Sequence, residues 1–552
     1  MNRIVGSRAF LALLKDEGVT HLFGNPGTTE LPIMDALKDH TDLTYVLGLQ
    51  ESVVVAMADG FARASGKLAA CNVHVAPGLG NAMGSIYNAK FTGTPLIITA
   101  GQQEQGHGLT EPLLYDPLVP IAAPLVKWAV EINRLEDMPR IVRRAAKIAT
   151  TPPTGPVFLS LPGDVLNDEK GIDLGQVTRV DATARPTDEA LDNLASRLLQ
   201  AERPALLVGH EIVTSDAFEE IAELAQTLGA PAFQQTVPYG AHFPSEHPAF
   251  MGALSRDQKQ VRNVLEDYDL LIVAGADVLR MSVWSETDPL PPDLSIVQLG
   301  QLDWEMGKNY PAEIAIRADL KTTIKALIPI ATAKGGSPLG EAAERRLGAI
   351  SGKNWLAKCA QRRMEASTRS AAKPIAADWL MMQIAETVSE DVVVVNEGLT
   401  SAHTLLDMLP YRDRNGYHAF ASGGIGWAIP AAVGIQLAHP ERPVVAVIGD
   451  GSAMYTIQAL WTAAHLDLPI TYVIANNQSY RILKQRLRAF HANDHYVGMD
   501  LDDPPIDFTG LARSLGMSAQ RIETPDEIRP ALSEAVDRRR PTLLEVMVER
   551  QV

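Results

Sequence analysis

The sequence predicts an α/β protein made of three consecutive doubly wound domains, each with a parallel sheet. Short apolar runs alternate with longer helical patterns along the whole chain, and this alternation is typical of α/β folds. The runs are apolar at nearly every position, as in strands that are covered on both faces of a parallel sheet. With 552 residues, the chain is long enough for several domains of ordinary size.

Ten apolar runs are predicted to be strands. In chain order they are HLFG, LAACNVHVA, TPLIITAG, PVFLSLP, PALLVG, DLLIVAGA, VVVVN, VVAVIGDG, ITYVIANN and PTLLEVMV. The N-terminal segment MNRIVGSRAFLALLKDEGVTHLFG is predicted to form an amphipathic helix that leads into the first strand. AIPAAVGIQLAHPERPVVAVIG is predicted to form a buried helix and a buried strand, because Pro430 and the polar group at 439–443 divide its apolar residues.

Two polar stretches, near 165–190 and 330–346, are predicted to link the domains. Gly, Pro, Ser and charged residues accumulate in both stretches. We therefore expect three domains, at 1–175, 186–332 and 370–552. The first and third domains share only a loose pattern of strand, glycine turn and helix.

Composition and charge narrow the class of protein. Hydrophobic residues make up 46% and charged residues 21% of the chain, which is normal for a soluble globular protein. The net charge of −17 argues against a nucleic-acid or anionic-membrane partner. No apolar run is long enough for a membrane span or has the form of a signal peptide. The two cysteines, Cys71 and Cys359, offer no disulfide framework, and we expect a cytoplasmic location.

Glycine-rich turns follow several predicted strands. HVAPGLGNAMG, at 74–84, resembles a dinucleotide fingerprint through Gly78 and Gly80. The acidic residue expected about 20 positions later is missing, so a tight, closely packed strand-to-helix turn is the other interpretation. ASGGIGWAIPAA, at 421–432, is a further turn of this kind. A NAD-dependent oxidoreductase therefore stays as an alternative from another class of function.

The turn GDGS predicts a metal site. It joins a predicted strand to a predicted helix, whose N-terminus suits a phosphate. Asp450 would repel that phosphate unless a divalent cation such as Mg²⁺ lay between them. Asn476 and Asn477 end the next strand, and neighbouring parallel strands end at the same sheet edge. A capping Asp and an ordinary Asn turn would explain each piece alone, but the 24 residues at 452–475 between the two pieces favour one joint site.

This GDG followed by NN resembles the thiamine diphosphate motif of the 2-oxo acid decarboxylases and acetohydroxyacid synthases, and of the benzoylformate decarboxylases in particular. GVTHLFGNPGTTELPIMDAL, LGLQESVVVAMADGFARASGK, NVHVAPGLGNAMGSIYNA, PLIITAGQQ and TGPVFLSLPGDV are similar to the pyrimidine-binding domain of that family. NEGLTSAHTLL and ASGGIGWAIPAAVGIQLA are similar to its diphosphate-binding domain. The central domain binds FAD or ADP in some relatives, but no strong flavin signature is present here, and we expect a structural role.

The resemblance implies a set of cofactor residues. The Mg²⁺ ligands would be Asp450, Asn477 and the carbonyl of Ser479. The remaining contacts to thiamine diphosphate would come from Leu399, Thr400, Gly423, Ile425, Gly451 and Ser452. Among them, Ile425 would bend the cofactor, and the carbonyl of Gly423 would accept a hydrogen bond from the aminopyrimidine.

Glu51 would have the central catalytic role. In the family this carboxylate protonates the pyrimidine ring and stabilises an imino form, which removes the thiazolium C2 proton. The resulting carbanion attacks the 2-oxo group, and CO₂ leaves. Buried glutamates are uncommon, and the other interpretation of Glu51 is a residue at a helix N-terminus that the helix dipole favours.

Four residues are candidates for the substrate site. His74 matches a proton-transferring histidine of benzoylformate decarboxylases, and Thr28 replaces a serine that binds the substrate carboxylate. A second catalytic histidine of those enzymes falls near VLRMSVWSE, where Ser282 stands instead. His107 is expected near the mouth of the site. A structural role is the other interpretation of the lone histidines.

Ile482 and Arg486 stand where the resemblance implies an aromatic lining. A guanidinium suits a second carboxylate, a phosphate or a coenzyme A tail better than a phenyl ring. The alternative is that Lys484, Arg486 and Arg488 form a solvated helix face.

These features predict a thiamine diphosphate- and Mg²⁺-dependent enzyme that decarboxylates a 2-oxo acid to an aldehyde. A carboligase or lyase, similar to acetolactate synthase or 2-hydroxyacyl-CoA lyase, is the first alternative, because the carbanion left by CO₂ can attack a second carbonyl. A non-catalytic cofactor-binding protein is disfavoured by the presence of Glu51. The resemblance implies that each site combines Glu51 of one chain with the Asp450 region of another, so we expect a homodimer or homotetramer.

Overall fold

Three six-stranded sheets follow one another along the chain, and each is parallel throughout. The computed structural model describes residues 3–410 and 412–552. All ten predicted apolar runs contain a strand, and helices separate the strands. The predicted fold class is therefore confirmed.

The N-terminal domain holds the first sheet, in the order β3-β2-β4-β5-β7-β6, and a separate antiparallel pair, β1 with β8. Its strands are β1 Arg3–Val5, β2 His21–Gly24, β3 Thr44–Leu47, β4 Ala69–Val73, β5 Leu96–Gln102, β6 Ala129–Glu131, β7 Val157–Pro162 and β8 Glu169–Gly171. Its helices are α1 Gly6–Asp16, α2 Leu31–Leu37, α3 Glu51–Ser65, α4 Val75–Thr92, α5 Leu118–Ala122, α6 Met138–Thr150 and α7 Gly163–Asn167.

The middle domain holds the second sheet, in the order β11-β10-β9-β12-β13-β14. Its strands are β9 Pro204–Val208, β10 Ala232–Gln234, β11 Phe250–Ala253, β12 Leu270–Ala274, β13 Ser295–Gly300 and β14 Ile314–Arg317. Its helices are α8 Asp188–Gln200, α9 Glu211–Thr214, α10 Phe218–Leu228, α11 Gln258–Leu265 and α12 Leu320–Ile350.

The C-terminal domain holds the third sheet, in the order β16-β15-β17-β18-β20-β19. Its strands are β15 Val393–Glu397, β16 Tyr417–Ala419, β17 Val444–Gly449, β18 Ile470–Asn476, β19 Ser518–Ile522 and β20 Thr542–Met547. Its helices, with α13 preceding the sheet, are α13 Trp355–Ser367, α14 Ala377–Thr387, α15 Leu405–Met408, α16 Ala428–Ala438, α17 Asp450–Thr456, α18 Ala459–His465, α19 Arg481–His491, α20 Phe508–Ser514 and α21 Ile528–Asp537.

The linker predicted near 330–346 is wrong. These residues lie within α12, which packs on α8 and α10 and buries Leu327, Ala331 and Leu339 in the middle-domain core. The glycines and proline that suggested a linker sit at a break in this helix, where Gly336 has a φ of 52°. The predicted domain end at 332 falls inside the same helix.

Helices α3 and α16 bring the N- and C-terminal domains of one chain into close contact. Two glycines allow their backbones to approach. A Cβ atom at Gly60 would lie 2.4 Å from the Ala431 carbonyl oxygen, and one at Gly434 would lie 1.9 Å from the Met57 carbonyl oxygen. Any larger residue would push the two helices apart.

The described part of the chain has no helix that combines the length and the apolar character needed to cross a membrane.

Candidate active site

Asp450 and Asn477 lie side by side at the carboxyl edge of the C-terminal sheet. Strands β17 and β18 are adjacent and parallel, so the residues that follow them emerge together. The backbone N–H of Ser479 donates to both side chains, 3.2 Å from Asp450 Oδ2 and 3.0 Å from Asn477 Oδ1. Two side-chain oxygens thus lie close together at this edge, next to the same N–H group.

The carboxylate of Asp450 is buried, and no cationic side chain of the described residues is in direct contact with it. It is 3% exposed and forms no ion pair with any described Lys, Arg or His side chain. Loss of solvent raises its pKa to about 6, although backbone N–H groups, such as that of Gly451 at 2.8 Å, oppose this shift. A buried, unpaired carboxylate beside a carboxamide oxygen fits a hard cation such as Mg²⁺.

The donor set around Asp450 contains a single acidic side chain. Among the described residues, no group of three or more His, Cys, Asp or Glu side chains is arranged to hold a metal. The Asp450 set has one carboxylate, and its other ligands would be the Asn477 carboxamide and the Ser479 carbonyl. Mg²⁺ commonly takes one or two carboxylates and completes its shell with substrate phosphates and water.

A narrow cleft beside Asp450 brings together most of the predicted cofactor residues. Its lining includes Leu399, Thr400, Ile425, Gly451, Ser452, Asn477, Ser479 and Ile482. The described residues that line it all belong to the C-terminal domain. A Cβ atom at Gly451 would lie 2.5 Å from Tyr480 Cε1, so glycine is required at the turn where the diphosphate is expected.

Arg481 is a site residue that the sequence reasoning missed. Its guanidinium is buried and donates to the Thr400 carbonyl at 2.8 Å, to Thr400 Oγ1 at 3.2 Å and to the Glu549 carbonyl at 3.1 Å. It therefore holds the predicted diphosphate segment at Leu399–Thr400 and places a positive charge beside the cleft. Its position in the basic run RILKQRLR hid this role.

The loop that carries Gly423 and Ile425 projects from a fixed base. Gly423 is exposed, with a φ of 83°, and Ile425 is half-buried in the cleft. The carboxylate of Glu397 accepts hydrogen bonds from the three backbone N–H groups at 426–428. Burial raises the pKa of Glu397 to about 7 even though these N–H groups lower it.

Glu51 is the first residue of α3 and is buried within the N-terminal domain. Its carboxylate accepts hydrogen bonds from Asn25 Nδ2 at 3.2 Å and Asn81 Nδ2 at 3.0 Å. A Cβ atom at Gly78 would lie 3.2 Å from Glu51 Oε1. Glu51 thus lies at a helix N-terminus, as the second interpretation requires, and two asparagines that the sequence reasoning missed fix its orientation.

His74 follows β4 at a strained turn. Its Nδ1 lies 2.7 Å from Glu30 Oε2, and because a carboxylate accepts, Nδ1 carries the proton and Nε2 is the free nitrogen. The next residue, Val75, has a φ of 43°, which is rare for a β-branched residue and is typical of functional turns. A Cβ atom at Gly27 would lie 2.1 Å from His74 Nδ1, and the adjacent Thr28 is exposed.

The glycines of HVAPGLGNAMG do not form a dinucleotide loop. Gly78, Gly80 and Gly84 all lie inside α4, and Gly78 packs against Glu51. The strand-to-helix turn lies at His74–Val75, before the glycines, and only Gly78 of the three is closely packed. The NAD-binding interpretation therefore loses its support.

His107 and Ser282 lie outside the two groups of residues described so far. His107 is 64% exposed on the 3₁₀ turn Gln105–Thr110, with Glu104 Oε2 at 4.0 Å. Ser282 is exposed in the loop after β12, where its backbone N–H donates to the Arg256 carbonyl at 3.2 Å. Neither lines the cleft beside Asp450.

Arg486 differs from its basic neighbours on α19. Lys484 is buried and paired with Asp500, and Arg488 donates to the Val552 carbonyl at 3.0 Å. Arg486 is half-buried, forms no ion pair with the described residues, and lies one helical turn beyond Ile482, which lines the cleft. The three cations therefore do not form one uniform solvated face.

A cavity of about 700 Å³ lies between the carboxyl edge of the middle-domain sheet and residues 87–93 and 152–154 of the N-terminal domain. Nucleotides commonly bind at this edge in such folds. Glu211 lies at this edge, and its carboxylate accepts hydrogen bonds from the backbone N–H groups of Gln301 at 2.6 Å and Leu302 at 3.3 Å. Burial raises the pKa of Glu211 to about 7. The protein's own carboxylate occupies these two amides, so they are not free for a nucleotide phosphate.

The fold and these residues define the class of the protein. This arrangement is that of thiamine diphosphate enzymes. It consists of three parallel α/β domains, a sheet edge on the third that is suited to a cation, and a glutamate at the start of a helix on the first. Family models of thiamine pyrophosphate enzymes match residues 4–113 with the N-terminal TPP binding domain, 191–327 with the central domain and 400–546 with the C-terminal TPP binding domain. The chain belongs to this family, which contains decarboxylases and acetolactate synthases.

Individual relatives agree with this assignment. Benzoylformate decarboxylase of Pseudomonas aeruginosa is 33% identical over 537 residues, which cover 97% of both chains. The acetolactate synthase large subunit of Haemophilus influenzae is 27% identical and covers 97% of this chain and 92% of its own. The structure of the thiamine diphosphate-dependent 4-hydroxybenzoylformate decarboxylase of Rhodococcus jostii RHA1 superposes with a TM-score of 0.86 at 30% identity, over 99% of this chain and 100% of that one.

Proposed function

We propose that the protein decarboxylates a 2-oxo acid to an aldehyde without oxidation, using thiamine diphosphate and Mg²⁺. The observation that carries this proposal is the buried, unpaired carboxylate of Asp450, which shares the Ser479 N–H with the Asn477 carboxamide. The similarity to benzoylformate decarboxylase over 97% of the chain supports the reaction type.

The C-terminal residues would hold the cofactor. Asp450, Asn477 and the Ser479 carbonyl would bind Mg²⁺, and Gly451 with Ser452 would meet the diphosphate at the start of α17. The Leu399–Thr400 segment, held by Arg481, would bind the other side of the diphosphate. Ile425 would support the bent cofactor, and the Gly423 carbonyl would accept from its aminopyrimidine. When bound, thiamine diphosphate supplies a nucleophilic ring carbon and an electron sink for the pair released as CO₂ leaves.

The N-terminal residues would control protons. Glu51, oriented by Asn25 and Asn81, would exchange a proton with the pyrimidine ring. His74 would present its free Nε2 to the substrate, because Glu30 holds Nδ1–H. Thr28, exposed beside this histidine, would donate its hydroxyl to the substrate carboxylate. Loss of CO₂ would then be followed by proton delivery from His74 Nε2, which would first take that proton from solvent because Nδ1–H stays with Glu30.

We propose that each active site is shared between two chains of a homodimer or homotetramer. The cleft beside Asp450 is lined by C-terminal residues, while Glu51 and His74 belong to the N-terminal domain. A second chain would supply the missing half of each site.

We also keep the domain limits 1–175, 186–332 and 370–552 as proposals, with the α12 segment after 332 attached to the middle domain.

We infer a cytoplasmic location from the two buried, free cysteines.

Carboligation is the second candidate reaction. The middle-domain segment at 278–286 offers Ser282 where benzoylformate decarboxylases have a second catalytic histidine, so protonation of the carbanion has one fewer donor. Arg486, unpaired and one turn from Ile482, favours a substrate with a second negative charge. The acetolactate synthase relatives at 26–29% identity support this second candidate.

A screen of 2-oxo acids tests both reactions. CO₂ release is measured for aromatic, aliphatic and dicarboxylic acids, with and without an acceptor aldehyde, and the products are identified. Release of aldehyde supports decarboxylation, and a 2-hydroxy ketone supports carboligation. Absence of CO₂ from every acid in the presence of thiamine diphosphate and Mg²⁺ would contradict both.

Glu51→Gln tests the proposed mechanism. Turnover is expected to fall by about 10²–10⁴-fold, the range for loss of a general acid or base, while thiamine diphosphate still binds. Glu220→Gln is a matched control, because Glu220 is also a buried glutamate but lies on α10 of the middle domain. Unchanged turnover in Glu51→Gln would refute the mechanism.

A further inference from the structure

A buried polar network joins the N-terminal domain to the base of the Gly423 loop in the same chain. Its centre is Asp59, on α3, which is fully buried. Asp59 Oδ2 accepts from Asn88 Nδ2 at 2.9 Å and from Trp427 Nε1 at 2.6 Å, and Asp59 Oδ1 accepts from Thr94 Oγ1. Because Trp427 belongs to the C-terminal domain, the network crosses the domain boundary.

The side-chain oxygen of Asn88, on α4, accepts hydrogen bonds from the backbone of the loop. Asn88 Oδ1 accepts from the N–H of Ala421 at 3.1 Å and the N–H of Ser422 at 3.2 Å. Asn88 is 1% exposed, so water does not replace these bonds, and an unmatched buried amide is costly. One carboxamide thus fixes the residues immediately before Gly423.

Arg63 balances the charge of this network. It lies one turn beyond Asp59 on α3, and the two side chains attract each other. Its guanidinium donates to the Ala419 carbonyl at 3.0 Å and lies 4.6 Å from the ring centroid of Trp427. The buried carboxylate of Asp59 is therefore compensated, as a buried charge requires.

The Gly423 loop is consequently held at both ends and free in the middle. Asn88 holds 421–422, while Glu397 and Asp59 hold 426–428. Between these points Gly423 and Gly424 are exposed. Two glycines would leave this span poorly defined if its ends were not fixed.

We propose that Asn88 and Asp59 are positioning residues that set the Gly423 loop for thiamine diphosphate, and that α3 thereby links two active sites. The second part rests on the proposed function, in which each site combines two chains. Glu51 begins α3 and serves one site. Asp59, eight residues and about 12 Å further along the same helix, holds the loop that serves the other site.

The first test uses the apoenzyme of Asn88→Ala. Thiamine diphosphate binding, followed by protein fluorescence at fixed Mg²⁺, is expected to weaken about 10-fold, within the roughly 5- to 150-fold range for an unmatched buried partner. Hydrogen exchange at the amides of 421–422 is expected to accelerate in the absence of cofactor. Unchanged binding together with unchanged exchange would overturn the inference.

Asn354→Ala is the matched control. Asn354 is a buried asparagine that donates to the Pro248 carbonyl at 3.0 Å and accepts from the Ala357 N–H at 3.1 Å, far from the loop in the chain. It is expected to leave cofactor binding unchanged. If Asn88→Ala does not fold, Trp427→Phe removes one of the three donors to Asp59 and is expected to give the same changes to a smaller extent. Unchanged binding and exchange in Trp427→Phe would overturn the role of Asp59.

An experiment with mixed dimers tests the role of Asn88 in the loop and the sharing of each site between two chains as separate claims. Chains carrying Glu51→Gln are combined with chains carrying Asn88→Ala. If α3 serves two sites, both substitutions lie in one site of the mixed dimer and the other site has none. Activity should then recover toward half of the wild-type value. No recovery, with weakened binding in Asn88→Ala alone, would overturn the two-site link and the shared site while keeping the role of Asn88.

Discussion

Replacing Asp450 with asparagine should make the apoenzyme less sensitive to pH while removing its response to Mg²⁺ and thiamine diphosphate. Burial raises the pKa of Asp450 from 3.8 to about 6. At neutral pH the folded apoenzyme therefore carries an unfavourable charge that costs about 3 kcal/mol. The isosteric amide carries no charge.

The sign and size of the effect follow from proton linkage. A raised pKa means that the folded state binds the proton more tightly than the unfolded state, so stability rises as pH falls. When the pH falls from about 7.5 to about 5, the free energy of unfolding of the wild type should rise by about 1.4 kcal/mol more than that of Asp450→Asn. The amide also loses one bond to a backbone N–H, but that loss is the same at both pH values and cancels in the comparison.

The assay is urea denaturation of both apoproteins at the two pH values, followed by tryptophan fluorescence. Mg²⁺ and thiamine diphosphate are then added at about pH 7.5, where the wild type should gain about 2.7 kcal/mol at 100 times the dissociation constant and the variant much less. A stability difference that is independent of pH would refute the argument about burial. Equal stabilisation of both proteins by Mg²⁺ and cofactor would refute the metal site.

Two further substitutions test the packing and the substrate site. Gly434→Ala should destabilise the protein by about 3 kcal/mol or more, because its Cβ would lie 1.9 Å from the Met57 carbonyl oxygen. The control is Gly340→Ala, which lies in open space within α12 and should be neutral or stabilising by up to about 1 kcal/mol. Both changes are measured by urea denaturation. Arg486→Ala should raise KM for dicarboxylic 2-oxo acids by about 10-fold and leave aromatic ones nearly unchanged, measured as CO₂ release; an equal change for both would argue against a role in charge recognition.

The sequence predicted the central strands of the sheets better than the edge strands. In the first and third sheets the predicted runs are the four inner strands, and the edge strands β3, β6, β16 and β19 were not recognised. Most edge strands are covered on one face only or are partly exposed, so they lack the continuous apolar pattern. In the middle sheet, β9 and β12 were recognised at the centre, while β10, β11, β13 and β14 were not, although β13 is one residue longer than β9 or β12.

The site was predictable where function depends on strand order. Asp450 and the pair Asn476-Asn477 follow adjacent parallel strands, so spacing predicted that an asparagine meets Asp450. The family resemblance then selected Asn477. Arg481, Asn25, Asn81 and Glu30 were not found, because each acts by orienting another residue through tertiary contacts that no local pattern records. The glycines and proline at 335–338 misled the domain prediction, since a break inside a packed helix has the same composition as a linker.

The glycine-mediated contact between α3 and α16 has a consequence for motion during turnover. With two helix backbones in van der Waals contact, the N- and C-terminal domains of one chain have no room to hinge or slide against each other. Entry of small molecules into the cleft beside Asp450 would then depend on surface loops.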